Sequence, residues 1–222
     1  LVHMQNFDGL TALHYASAIG NAETVKKIIE VLKSSNISDS QIVPVTVNSP
    51  TNRGVTPLST ALYYGHKSVA EILVHAGASI EAVDVTGKTI LHVAAEGGCH
   101  ECVAYAIGLC KNKIPITTLN YEGRNLLHLA ARCAYPETFD LLVEAGISPE
   151  SITPEGFTPL MLAGTFGNLE LLKHLVENYK FTCKGKDTYG STILQAACGA
   201  VPSLIDIPKR KKKNLSTAEL NK

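Results

Sequence analysis

Gly87-Lys88-Thr89-Ile90-Leu91-His92-Val93-Ala94-Ala95 decides the fold, because each of its parts recurs along the chain. The marker glycine returns as Gly9, Gly54, Gly87, Gly123, Gly156 and Gly190, at spacings of 45, 33, 36, 33 and 34 residues. A fixed period of this size marks stacked supersecondary units, with an insertion in the first. Two positions beyond each glycine stands Thr11, Thr56, Thr89, Asn125, Thr158 or Thr192, side chains suited to cap a helix N-terminus. Pro57 and Pro159 follow two of them, where a helix start tolerates the missing N–H. A leucine then recurs (Leu13, Leu58, Leu91, Leu127, Leu160, Leu194), and three positions later an alanine (Ala16, Ala61, Ala94, Ala130, Ala163, Ala197). Leu and Ala three apart share one helix face. The leucine fills a core, and the small alanine lets neighbouring helices approach.

Gly20, Gly65, Gly98 and Gly167 lie eleven positions past their markers, with Ala134 in the fourth unit, and predict the end of a short first helix. A second apolar helix follows, with core candidates such as Val25, Ile29, Val69, Leu73, Val103, Phe139, Leu142, Leu171 and Leu175. The whole pattern resembles the ankyrin repeat, most closely at Gly54-Val55-Thr56-Pro57-Leu58, Gly87–Ala95 and Gly156-Phe157-Thr158-Pro159-Leu160. The resemblance implies an all-α solenoid of stacked helix–turn–helix units joined by hairpin-like loops. Units are expected to start near 7, 52, 85, 121, 154 and 188 within a repeat domain over 6–200, with an insertion at about 33–51 and a degenerate C-terminal cap at 201–222. His14, His92 and His128 keep the histidine of the family's T-P-L-H run, while Ser59, Met161 and Gln195 replace it. The resemblance assigns that histidine a backbone hydrogen bond between repeats.

The rest of the 222-residue chain narrows the function class. A 45% hydrophobic content with zero formal net charge favours a folded chain over disorder. No apolar run is long enough to cross a bilayer, so no membrane insertion is expected. Six irregularly spaced cysteines do not form a secreted disulfide framework, and an intracellular, cytoplasmic or nuclear location is expected. Cys99-His100-Glu101-Cys102 is a C-x-x-C at a helix start, a setting that can lower a thiol pKa. A zinc site needs about four ligands, and no second pair with matching spacing exists. The repeat register makes Cys102 a core residue instead. The histidines that share one column read as packing and turn chemistry, and no nucleophile–base–orienter set can be assembled. Neither an enzyme site, a metal nor a cofactor is expected.

The expected function is recognition of another protein or a peptide segment on a concave face, as part of a larger protein. The resemblance places contacts beside the marker glycine and nine and ten positions beyond it. These are Arg53, Tyr63 and Tyr64; Lys88 and Glu96; Tyr121, Arg124 and Arg132; Phe157 and Phe166. Tyr and Arg are common energetic anchors at interfaces. The alternative is a nuclear regulatory cofactor that binds a transcription factor. Lys209, Arg210, Lys211, Lys212 and Lys213 would then serve as the nuclear localisation signal. A solvated segment is the plainer reading of that run, and a nucleic-acid groove is not expected without a second basic patch.

Overall fold

The computed structural model describes residues 4–34, 46–133 and 135–179. The described residues form five helix pairs and no β-strand. The inner helices are α1 (Ala12–Ile19), α3 (Pro57–Tyr63), α5 (Ile90–Gly97), α7 (Leu126–Ala130) and α9 (Pro159–Thr165). The outer helices are α2 (Ala22–Ser34), α4 (Lys67–His75), α6 (His100–Cys110), α8 (Pro136–Glu144) and α10 (Leu169–Tyr179). Each inner helix packs on its own outer partner and on the inner helices of adjacent pairs; the outer helices stack in the same order. The result is the all-α solenoid expected from the repeat. Ala134, the sixth marker unit from Gly190 and the basic run 209–213 lie outside the described residues. The insertion lengthens α2, which reaches Ser34; 35–45 also lie outside.

The inner helices begin where the cap residues stand. Thr11, Thr56, Thr89, Asn125 and Thr158 occupy extended backbone as N-caps. Thr56 Oγ1 accepts from the Ser59 N–H at 3.2 Å, and Asn125 Oδ1 from that of His128 at 3.2 Å. Such caps contribute about 1 kcal/mol each. In three units a histidine closes the box from the other side. The Nδ1 atoms of His14, His92 and His128 accept the cap N–H at 3.1, 3.3 and 3.2 Å. Nε2 of His14 then reaches the Val55 carbonyl of the next unit at 3.0 Å, and that of His128 the Phe157 carbonyl at 3.1 Å. The His92 ring faces the equivalent Arg124 carbonyl in looser geometry. A ring whose Nδ1 accepts must be neutral, with its proton on Nε2. Ser59 supplies the same box in the second unit, its Oγ accepting the Thr56 N–H at 2.9 Å. Met161 cannot, and the fifth unit keeps only the forward bond from the Met161 N–H to Thr158 Oγ1 at 3.2 Å.

The turn before each inner helix is held by a second column, three residues ahead of the marker glycine. Asp84 Oδ1 accepts from the N–H groups of Thr86 and Lys88 at 2.8 and 2.9 Å. Asn120 Oδ1 does the same for Glu122 and Arg124 at 3.1 and 2.9 Å. Asn6 and Thr51 play this part in the first two units. Successive turns are bonded to one another, with Asn52 N–H to Asp8 O at 2.9 Å, Val85 N–H to Arg53 O at 3.0 Å and Tyr121 N–H to Thr86 O at 3.0 Å. Gly54 sits in the left-handed region at φ 79°, and a Cβ there would meet Asp84 Cα at 2.9 Å.

The repeated leucines and alanines lie in the core, where Leu13, Leu58, Leu91, Leu127 and Leu160 are all buried. Ala61, Ala94 and Ala163 are completely enclosed. Close approach is tightest at Gly97, where an added Cβ would collide with the Tyr63 carbonyl of α3. Gly97→Ala is therefore expected to cost about 1–3 kcal/mol by overpacking. Gly108→Ala, on an exposed position of α6 with open space around it, should instead stabilise by roughly 0.5–1 kcal/mol. Urea unfolding of the two variants tests this opposition of sign.

Burial depresses the pKa of His14, and carries those of His92 and His128 down to about 4 against an ordinary 6.5. The unfolded chain therefore binds more protons between about pH 6.5 and 4, and stability falls as pH drops through that window. For His92 and His128 the loss from pH 7 to 5 is about 2 kcal/mol each. Replacing both with Ser, the residue that closes the capping box in the second unit, should lower stability at pH 7 and flatten the slope. Urea midpoints at pH 7, 6 and 5 give the comparison.

Candidate functional site

A trough of about 670 Å³ runs over the first three units, between the inner helices α1, α3 and α5 and the hairpin turns. Helix spacing creates its floor and inner wall. Residues six and nine beyond the marker share one face of an inner helix, which brings Tyr15 and Ala18, Thr60 and Tyr63, and Val93 and Glu96 to the trough. The turns form the outer wall with Arg53, Asp84, Val85 and Thr86. Five expected contact residues thus meet in one place: Arg53, Tyr63, Tyr64, Lys88 and Glu96. Tyr63 and Tyr64 stand edge to face, ring centroids 5.1 Å apart. Tyr15 and Val85 are exposed lining residues missing from the expected set. The column six past the marker pointed to Tyr15, and the hairpin register to Val85.

Glu96 extends this site along the solenoid. Its side chain is only 10% exposed and receives two cations, Lys88 Nζ at 2.7 Å and Arg132 at 2.9 Å. The Arg132 guanidinium in turn lies 5.4 Å from the Phe166 ring centroid. Units three, four and five are thereby linked through side chains on the same face. Tyr121 stands apart at the fourth turn, 78% exposed. Arg124 is beside it and pairs with Glu122 at 3.2 Å.

Phe157 is the correction. It is buried at 8% exposure and belongs to the core cluster. Its N–H donates to Thr153 Oγ1 at 3.2 Å while its carbonyl holds His128, so the residue joins two units and presents little surface.

The C-x-x-C is turned inward. Cys102 is fully buried, and desolvation, followed by its hydrogen bond with Cys99, pushes its thiol up to about 12. Cys99 Sγ leans on the Gly65 carbonyl at 3.8 Å. A protonated, enclosed thiol is a packing group rather than a nucleophile. Among the described residues no group of three His, Cys, Asp or Glu side chains is placed to hold a metal ion. No helix among them is long and apolar enough to cross a membrane.

The geometry of a solenoid with a lined trough agrees with the comparisons. A family model described as ankyrin repeats (3 copies) matches residues 1–84 and 80–153. The chain belongs to the ankyrin-repeat family. Ankyrin repeats are protein-interaction modules. Human B-cell lymphoma 3 protein is 30% identical over 158 residues, covering 70% of this chain and 33% of that protein. The rat nuclear factor NF-kappa-B p105 subunit is 30% identical over 146 residues, covering 66% of this chain and 14% of its own length. This ankyrin chain thus spans a third or less of either relative. Its fold is similar to the crystal structure of the ankyrin repeat domain of Bcl-3, described as a unique member of the IkappaB protein family. The TM-score is 0.61 at 27% identity, covering 87% of this chain and 82% of that one.

The Glu96 bridge is testable without any ligand. In a double-mutant cycle, Glu96→Gln and Arg132→Gln should couple by roughly 0.5–1 kcal/mol, because Arg132 is half exposed and solvent weakens the pair. Additive losses in thermal unfolding would remove the bridge as a link between units three and four.

Proposed function

We propose that this ankyrin domain captures an extended segment of another protein along the trough. Arg53, Tyr63, Tyr64, Lys88 and Glu96 form its first part, and Arg132 with Phe166 continues it. The observation that carries this reading is the convergence of exposed Tyr15, Tyr63 and Tyr64 with charged groups in one continuous hollow. Exposed aromatic groups cost solvation unless a partner covers them, and they supply large contact area when one does. The domain acts by binding, with no catalytic step of its own, as recognition module of a longer protein. Tyr121 and Arg124 form an outlying contact at the fourth turn.

A second reading is favoured by the similarity to Bcl-3 and to the NF-kappa-B p105 subunit. In it the partner is a transcription factor and the domain works in the nucleus. The run Lys209–Lys213 supplies the import signal. Deletion of 209–213 would then shift a fluorescent fusion out of the nucleus, whereas unchanged distribution counts against nuclear import through this run.

The double variant Tyr63→Ala/Arg132→Ala tests the trough itself. Both side chains are exposed, so thermal unfolding should move by no more than a few degrees. Proteins captured by the wild-type chain from its native lysate should be depleted about tenfold or more on the variant, as expected for loss of two anchors. Equal capture by both chains places the interaction elsewhere.

A further inference from the structure

We infer that the segment held in the trough is acidic and aromatic, with carboxylates meeting Arg53, Lys88 and Arg132 and rings lying among Tyr15, Tyr63 and Tyr64. This rests on the trough being the binding surface and adds the chemistry of its occupant. The argument is an inventory of which polar groups remain open. Two carboxylates line the trough, and both are already engaged. Asp84 Oδ1 accepts from Thr86 N–H, Thr86 Oγ1–H at 2.7 Å and Lys88 N–H, and so serves its own turn. Glu96 is nearly enclosed and divides its two oxygens between Lys88 and Arg132. The cations are not exhausted in the same way. An ammonium has three donors and a guanidinium five, of which Glu96 takes one from each partner. Arg53 is exposed on the wall and makes no ion pair among the described residues.

The unfilled capacity at the trough is therefore mainly that of donors and positive charge, with Arg53, Lys88 and Arg132 set against Asp84 and Glu96. A basic segment would find one carboxylate oxygen, Asp84 Oδ2, without a hydrogen bond among the described residues, and would meet three cations. An acidic one meets guanidinium forks suited to bidentate carboxylate contact. Between these charges the surface is Tyr15, Tyr63, Tyr64, Val85 and Val93, which gives aromatic side chains of the segment a place to pack.

Fluorescence anisotropy of the full 222-residue chain with labelled hexapeptides tests this. The probe is Glu-Phe-Glu-Glu-Phe-Glu, with analogues carrying Gln or Lys for every Glu, and Ser for both Phe. The Glu–Phe peptide should bind and weaken with salt, and the Gln and Ser analogues should each bind about tenfold less tightly. Arg53→Glu/Arg132→Glu should weaken the Glu–Phe peptide by at least about tenfold and improve the Lys analogue. Arg53→Glu alone, at a site with no ion pair to lose, repeats the reversal should the double variant unfold. Binding of the Lys analogue as tight as that of the Glu–Phe peptide overturns the inference. So does unchanged affinity on charge reversal, or absence of binding by every peptide. In each of those cases lysate capture that still depends on Tyr63 and Arg132 keeps the trough as the interaction surface, so the two failures are distinct.

Discussion

The spacing of the inner helices governs everything else in this molecule. They stack closely because small buried residues such as Ala61 and Ala94, and at Gly97 the lack of a side chain, leave room for the next helix. That distance lets a turn N–H such as Val85's reach the carbonyl of the preceding turn, and lets a histidine ring span from one cap to the next unit's backbone. It also places residues from successive units side by side on the trough. A larger residue in the alanine column would part the helices, and the bonds between turns would lengthen with them. Packing of small apolar groups is therefore the condition for the polar ladder, not an addition to it.

The fold was legible in the sequence because each repeated column answers a separate physical need. Thr56 caps, Pro57 starts, Leu58 packs, Ala61 permits approach and Gly65 ends the helix at φ 80°. The column three residues before the marker was equally visible as Asn6, Thr51, Asp84, Asn120, Thr153 and Asp187, all able to accept from a turn backbone. The site was legible only in part. Position relative to the glycine indicated which residues lie near the trough, and five of them meet there. It could not show that Phe157 would be drawn inward, since a residue beside the marker is part-buried as Lys88 is or fully buried according to what its neighbours leave open.

Where the columns vary, the structure shows substitution by chemistry rather than by shape. Ser59 does for Thr56 what histidine does in three other units, but its short side chain cannot cross to the next unit. The interface above it relies on other links. Among them is Cys99, whose Sγ meets the Gly65 carbonyl at 3.8 Å, in a position where the second unit has His66, its Nε2 3.0 Å from the Ala18 carbonyl, and the fifth Asn168. Asn168 donates to Ala131 O at 2.6 Å, so a carbonyl near the C-terminal end of the preceding inner helix is served by imidazole, thiol or amide in turn. The cysteine of the C-x-x-C thus has a place in a structural column, and that accounts for it without redox chemistry.

A solenoid of this kind holds each unit mainly through its immediate neighbours, so stability is distributed rather than concentrated in one core. The trough spans the first three units, and Glu96 with Arg132 carries the same face into the fourth. A segment lying along it would contact several units at once and oppose their separation. Its binding energy would then appear as added stability of the whole N-terminal stack, by the linkage that favours any state a ligand prefers. Acidification acts in the opposite direction through buried imidazoles at the junctions of these units, and thereby on the relative placement of the trough residues. Binding and stacking are coupled because the groups that set the distance between units also set the distance between the contacts.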